Sequence, residues 1–334
     1  MAHKLLCWLF GMHCLHTTPL HHGSYTDYQE VQAFINHAVE LGIAPAEQMQ
    51  HWFEQARYKP AVIQAIHTPA EHLQWQQYRP IFLTNARIQQ GVVFWQQHHS
   101  ELARAEQQYQ VPASIIVAIL GVETRYGTQM GHYRVLDSLT TLAFDEPERA
   151  HFFREELLAY FQLCQQQHVD PTTPVGSYAG AMGYPQFMPS SWLKEAVDFN
   201  QDGHIDLINQ PADAIGSIAH YLHDAGWHRG PVAELAQIAG DRYDVHLNTL
   251  LHSTASLNEW ATWGITPGNN VSREPATMAN VIRLQGEHGA EYWLAYDNFF
   301  VITRYNHSPL YAMAVWQLGN AIADELAKTA PLGP

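Results

Sequence analysis

Positive charge is scarce in this chain. Lys and Arg number 17 against 32 Asp and Glu, a formal net charge of −15. No Lys/Arg-rich run breaks that balance, which argues against a nucleic-acid partner held by its phosphates. Charge of either sign is sparse at 15 % while hydrophobic residues reach 46 %, a composition that excludes a disordered chain. Cysteine is nearly absent: Cys7, Cys14 and Cys164 are too few for a disulfide framework and say little about compartment. Long apolar runs are missing too, since none approaches the roughly 20 residues that a membrane-spanning helix needs. The 22 His include no pair at i, i+4 flanking a Glu, so the zinc-hydrolase pattern is not present. Neither repeats nor low-complexity tracts interrupt the chain.

What is plentiful is aromatic surface: 10 Trp, 16 Tyr and 13 Phe in 334 residues. Most of these rings belong in a core, and the excess suits a protein that stacks flat, hydroxylated ligands such as sugars. The N-terminus, "MAHKLLCWLFGMHCLHTTPL", sets one Lys before an apolar stretch as an export signal does. His13 and His16 interrupt it, no small-x-small cleavage site follows, and "FGMHC" fits a lipoprotein box poorly. Residues 1–23 are expected to be a degraded signal segment.

Residues 24–110 read as helices. "DYQEVQAFINHAVELG" spaces Val31, Phe34, Ile35 and Ala38 at helical intervals, and "PAEQMQHWFEQARY" places Met49, Trp52 and Phe53 on one face. "RPIFLTNARIQQGVVFWQQHHSELARAEQQYQ" predicts one long helical stretch. Residues 111–230 hold a helix opened by Pro112, another within 145–168, a Gly-rich segment, and "DAIGSIAHYLHDAGW" with Asp213 as its expected N-cap. Residues 231–303 change texture: "VIRLQ", "GEHG" and "AEYWLAY" alternate strand-forming runs with turn residues. Residues 304–334 return to an amphipathic helix. The class is α+β, predominantly α, with a helical N-terminal part and a small β-rich insertion.

Four stretches carry chemistry. In "ILGVETRYG" a lone acid, Glu123, follows eight mostly aliphatic residues, at or near a helix end. Apolar surroundings disfavour the charged form of a carboxylate and let it hold a proton near neutral pH, as a general acid must. "SYAGAMGYPQFMPSSW" packs Gly and small residues where backbone approaches a ligand closely. Ser177 and Gln186 are candidates to hydrogen-bond a sugar there, with Tyr178, Tyr184 and Phe187 against its ring. "DFNQDGHIDLIN" opens like a calcium loop, with Asp198, Asn200 and Asp202 at positions 1, 3 and 5 and Gly203 at 6. His204 is assigned to the same metal set. Asn209 stands where the bidentate Glu belongs, and Asp213, four residues on, offers a replacement carboxylate. "RYNHSPLYAMAVWQLG" places Tyr305, Asn306 and Tyr311 at a junction between elements, a common place for site residues.

Taken together and in this order, the four stretches resemble the membrane-bound lytic transglycosylase B family, peptidoglycan-cleaving enzymes with a lysozyme-like core. The resemblance runs from about Tyr25 to the C-terminal helix. It implies Glu123 as the single catalytic acid, and Ser177, Tyr178, Gln186, Tyr305, Asn306 and Tyr311 as cleft residues. It further implies a structural Ca²⁺ held by Asp198, Asn200, Asp202, His204 and Asp213. The family commonly has two adjacent Arg after the catalytic turn; here the pair is Glu148-Arg149, leaving Arg149 as the substrate-facing cation. The implied reaction cleaves the MurNAc–GlcNAc bond and leaves 1,6-anhydro-MurNAc ends. Peptidoglycan glycan strands are then the partner, with cell-wall synthesis or division proteins as candidate associates and a monomer as the expected state. The implied location is the periplasm or cell envelope, with association to the outer membrane in question because no convincing anchor is seen. Two rival readings stay open at this point: a hydrolytic muramidase of the same fold, and a non-catalytic peptidoglycan-binding protein.

Overall fold

The computed structural model describes residues 24–67, 73–268 and 274–329; the expected signal segment lies outside them. Helices dominate the first two thirds. In order they are α1 (Gln29–Glu40), α2 (Ala46–Gln55), α3 (Pro60–Ile66), α4 (Trp75–Phe82), α5 (Asn85–Gln97), α6 (His99–Tyr109) and α7 (Ala113–Thr124). A two-residue strand β1 (Tyr133–Arg134) precedes α8 (Val135–Asp145) and α9 (Ala150–Gln166). Strand β2 (Val175–Gly176) pairs with β1, and then come α10 (Pro189–Glu195) and α11 (Pro211–Asp224). The predicted long helix before Val111 is in fact three. The Thr84 hydroxyl accepts from the Arg87 amide and caps α5, and the backbone breaks again at His98, φ −117.

One hydrophobic cluster extends from Tyr25 to Ile322. Its N-terminal end is a knot of rings, in which Phe34, Phe53 and Phe144 meet edge to edge and Trp52 stacks on Phe161 at 5.3 Å. Tyr25 ties the chain start to this knot by donating to Asp145 at 2.7 Å. Through these contacts α1 and α2 are fastened onto α8 and α9.

At the centre lies α7. Every residue from Ile115 to Gly121 is buried, so this helix is apolar all round and belongs to the core rather than to a surface face. Helices α5, α6, α11 and the C-terminal helix pack around it. The ring of Tyr126, just past its end, fits a slot floored by two glycines. A Cβ at Gly91 or at Gly121 would stand 2.6 Å from the Tyr126 hydroxyl, inside any tolerable contact.

The β-rich part follows α11. Strands β3 (Ala233–Ile238), β4 (Ala255–Ser256), β5 (Ile265–Pro267), β6 (Met278–Gly286) and β7 (Gly289–Ala295) form an antiparallel sheet in the order β4-β6-β7-β3-β5. The expected hairpin is β6–β7, with Gly286 opposite Gly289 across the turn. The short α12 (Leu257–Thr262) sits on the sheet through Trp260, whose indole donates to the Ala279 carbonyl at 3.1 Å. Leu257, Ile265, Val281 and Leu294 join it in a second, smaller core. The chain then returns by α13 (Asp297–Tyr305) and α14 (Pro309–Thr329), and α14 lies along α7 and α5.

Asp213 does not cap α11 as expected. Gln210 is the N-cap, Pro211 the first helical residue, and Asp213 the third. Its fully buried carboxylate reaches back to the preceding loop. One oxygen accepts from the amides of Phe199 at 2.8 Å and Asn200 at 3.1 Å, and the other from Asp206 at 2.9 Å. A buried acid that collects three amides beside a helix N-terminus is stabilised by hydrogen bonding and by the helix dipole together.

Two substitutions test these constraints. Gly121→Ala should push Tyr126 from its slot and cost about 1–3 kcal/mol, the usual range for overpacking a core, read as a lowered denaturant midpoint. Asp213→Ala strands three amides, that of Phe199 buried and those of Asn200 and Asp206 partly so, and should cost on the order of 3 kcal/mol, with faster amide exchange across residues 198–209. A wild-type midpoint for either variant would remove the corresponding account.

Candidate active site

The acid stands where α7 comes out of the core. Val122 and Glu123 are half-buried, whereas Thr124 is buried again. Directly after Thr124 the backbone is left-handed at three consecutive residues, with φ +51 at Arg125, +59 at Tyr126 and +88 at Gly127. For the two non-glycine residues this is a strained conformation that the surroundings must enforce. The Tyr126 amide donates to the Leu120 carbonyl at 3.0 Å, and its hydroxyl to the Arg87 carbonyl at 2.8 Å. The Thr124 hydroxyl accepts from Gly127 at 3.0 Å and donates to the Tyr184 carbonyl at 3.0 Å. The turn is thus bolted to α5 on one side and to the Gly-rich loop on the other.

Glu123 receives its partner from far along the chain. Tyr311, in the first turn of α14 and 2 % exposed, donates its hydroxyl to Glu123 Oε1 at 2.7 Å. Burial first, and then the charge of Glu123, hold the Tyr311 phenol well above its ordinary value, so it remains a neutral donor. The ring of Tyr305, at the end of α13, stacks on that of Tyr311 with centroids 6.3 Å apart and planes 8° from parallel. The Tyr305 hydroxyl donates to the Pro185 carbonyl at 2.5 Å, and burial again raises its pKa. Asn306 is the C-cap of α13, half-buried at the α13–α14 junction, and its carbonyl accepts from Ser308 at 2.7 Å.

The Gly-rich loop leaves the β1–β2 ribbon at Ser177. The Ser177 hydroxyl accepts from the amides of Ala179 at 3.2 Å and Ala181 at 3.1 Å. It therefore shapes its own loop and keeps its proton as a donor toward a ligand. Gln186 has a left-handed backbone, φ +48, and its carboxamide nitrogen donates to the carbonyls of Met130 at 3.2 Å and Gly183 at 2.9 Å. Met182 and Phe187 exchange both backbone hydrogen bonds beside it. Tyr178 lies half-buried within the loop. Arg149 is the N-cap of α9, at the α8–α9 corner, with its guanidinium 5.1 Å from the Phe153 ring and 5.5 Å from that of Phe152.

Contacts therefore run from Glu123 through Tyr311 and Tyr305 to Pro185, the residue before Gln186, and join three stretches that are distant in sequence. Sequence reasoning gave no role to Tyr221. Tyr221 donates to the Arg304 carbonyl at 2.6 Å and sets its ring edge-on against Tyr305 at 5.1 Å. In the sequence it is one more apolar-periodic position of α11, so no local signal marks it.

The acidic loop before α11 is a set of side chain–backbone turns. Asp198 accepts from the amides of Asp202 at 3.1 Å and Gly203 at 2.8 Å. Asp202 accepts from the His204 amide at 2.9 Å and from the Asn200 carboxamide at 2.8 Å. Asp198, Asn200 and Asp202 are an all-oxygen donor set of the kind a hard cation takes. Asp213 lies beside it, with both its oxygens accepting from backbone amides, as both oxygens of Asp198 do. The His204 side chain is exposed. Among the described residues no group of three or more His, Cys, Asp or Glu side chains is placed to hold a metal. The loop is tied to the site all the same, since the Tyr184 amide donates to the Leu207 carbonyl at 2.8 Å.

Comparison with known proteins shows the family. Residues 26–320 match the family model for the transglycosylase SLT domain. The chain is 40 % identical over 311 residues to membrane-bound lytic murein transglycosylase B of Escherichia coli, a match spanning 90 % of this chain and 84 % of that one. Among solved structures, the catenated lytic transglycosylase SltB1 from Pseudomonas aeruginosa is 44 % identical, with a TM-score of 0.84 over 90 % of this chain and 98 % of the other. The Escherichia coli lytic transglycosylase Slt35, solved in complex with calcium, is 41 % identical, with a TM-score of 0.84 over 91 % and 96 % of the two chains. With an acid at the end of a core helix, and this kinship over nine tenths of its length, the chain belongs to the SLT-domain family of lytic transglycosylases.

Proposed function

We propose that the chain cleaves the β-1,4 bond between MurNAc and GlcNAc in peptidoglycan without adding water, with Glu123 as its one acid and base. The observation that carries this reading is the company Glu123 keeps. Its carboxyl group accepts from the phenol of Tyr311, on which the Tyr305 ring stacks, and both phenols are neutral groups. A hydrolytic glycosidase ordinarily sets a second acid roughly 5–9 Å from the first, as nucleophile or as base for water. An intramolecular nucleophile removes that need, because its effective molarity reaches about 10⁵–10⁸ M when well oriented.

Glu123 gives its proton to the glycosidic oxygen as the C1–O bond breaks toward an oxocarbenium-like state. The resulting carboxylate takes the proton of the MurNAc C6 hydroxyl as that oxygen bonds to C1. The glycan is cut, a 1,6-anhydro end forms, and Glu123 is protonated again. Tyr311 holds the carboxyl group in place throughout from Oε1. Ser177 and Gln186 hydrogen-bond the sugar, and Tyr178, Asn306 and Arg149 line its approach. Asp198, Asn200, Asp202 and Asp213, with His204, would hold a Ca²⁺ ion that braces the loop carrying Leu207. A peptidoglycan substrate puts the protein in the periplasm or cell envelope, and no helix among the described residues is long and apolar enough to cross a membrane.

Purified sacculi digested with the protein, followed by mass spectrometry of the released muropeptides, test the reading. Anhydro products about 18 Da lighter than hydrolytic ones, and inert to borohydride, are expected. Reducible, water-added products would make the protein a muramidase, and no products would make it a binding protein. Glu123→Gln should lower turnover by about 10²-fold or more, the usual worth of a general acid, while glycan binding persists.

A further inference from the structure

Tyr305 takes no part in the acid–base step and is 3 % exposed, too deep for direct contact with a sugar. Its hydroxyl is spent across 120 residues of chain on the carbonyl of Pro185. The next residue is Gln186, whose φ of +48 costs a non-glycine residue about 1–3 kcal/mol unless its surroundings enforce it. That backbone brings the Gln186 carboxamide onto the carbonyls of Met130 and Gly183. Both partners are carbonyl oxygens, which can only accept, so the nitrogen end must face them. The two N–H donors are thereby used within the protein, one on the loop and one on the segment after the catalytic turn, and the opposite end of the planar group, Oε1, is an acceptor.

We propose that Tyr305 is a positioning residue: by gripping the Pro185 carbonyl it locks Gln186 in its left-handed conformation and presents Oε1 as an acceptor for an N–H or O–H donor of the substrate. An acetamido N–H or a sugar hydroxyl is the chemistry that fits, and a carboxylate or phosphate is rejected. The same ring lies parallel to Tyr311, which holds Glu123, so one buried side chain aligns both the acid and the substrate acceptor. The inference rests on the reading of Gln186 as a substrate ligand, and it gives Tyr305 a different part from the direct contact that the sequence resemblance implied.

The test is a double-mutant cycle in the Glu123→Gln background, with binding of a soluble, peptide-free GlcNAc–MurNAc oligomer measured by calorimetry. Tyr305→Phe keeps the ring and removes the hydroxyl. It should weaken binding about tenfold where Gln186 is present and less than about twofold in the Gln186→Gly background, as coupled neighbours do. Glycine adopts φ +48 without strain and lacks the carboxamide, so the hydroxyl then has nothing left to position. Equal weakening in both backgrounds, or none in either, overturns the proposal. Hydrogen exchange supplies a readout free of ligand. The amides of Gln186 and Phe187, bonded to Gly183 and Met182, should exchange about tenfold faster in Tyr305→Phe, and an unchanged rate overturns the lock. If the oligomer binds no variant at all, the substrate reading has failed, and the exchange rates still decide what Tyr305 does.

Discussion

A helix buried on every side can present a charge only at its end, and that constraint on α7 organises the rest of the molecule. Residues Ile115 to Gly121 are inside the core, where an ionised side chain would forfeit its hydration. The acid therefore falls at the last turn, and the chain leaves sharply after it. Three left-handed residues make that exit, and their strain is met by Thr124, by the Tyr126 wedge and by the glycines that admit it. With a core helix supplying the acid, its partner has to come from an element packed on that core. The C-terminal helix does this through Tyr311.

Local patterns made part of this legible in the sequence. An aliphatic run ending in one acid announced a core helix with a carboxylate at its tip, and "GEHG" between strand-forming runs announced the β6–β7 hairpin. Other features escaped because their causes are distant in sequence. Tyr221 and Tyr305 each spend a hydroxyl on a backbone carbonyl 83 and 120 residues away, and nothing in the surrounding residues encodes such a partner. Asp213 was visible as an acid at a helix start, yet only the fold shows the three amides it gathers from the loop before that helix. The breaks at Thr84 and His98 were hidden by apolar spacing that carries on through them.

Aromatic abundance likewise has a more structural meaning than composition suggested. A large share of the rings, among them Phe34, Phe53, Phe144 and Phe161, lock the N-terminal helices to α8 and α9. Trp293 of β7 meets Trp316 of α14 edge-on at 5.5 Å, which joins the β-rich part to the helix that supplies Tyr311. Tyr221, Tyr305 and Tyr311 act through their hydroxyls, each fixed to a named acceptor, so this part of the fold is held by directional bonds within an apolar shell.

The bond between Tyr311 and Glu123 closes a span of 188 residues, and this has a consequence for the order of events in synthesis. Contacts so distant in sequence form late, after the loop entropy of the intervening chain has been spent. A ribosome that has released α7 has made an acid without its partner. The carboxyl group is held in its working position only after α14 has emerged and docked, nearly two hundred residues later. A chain built this way completes the surroundings of that carboxyl group only when its last helix has docked.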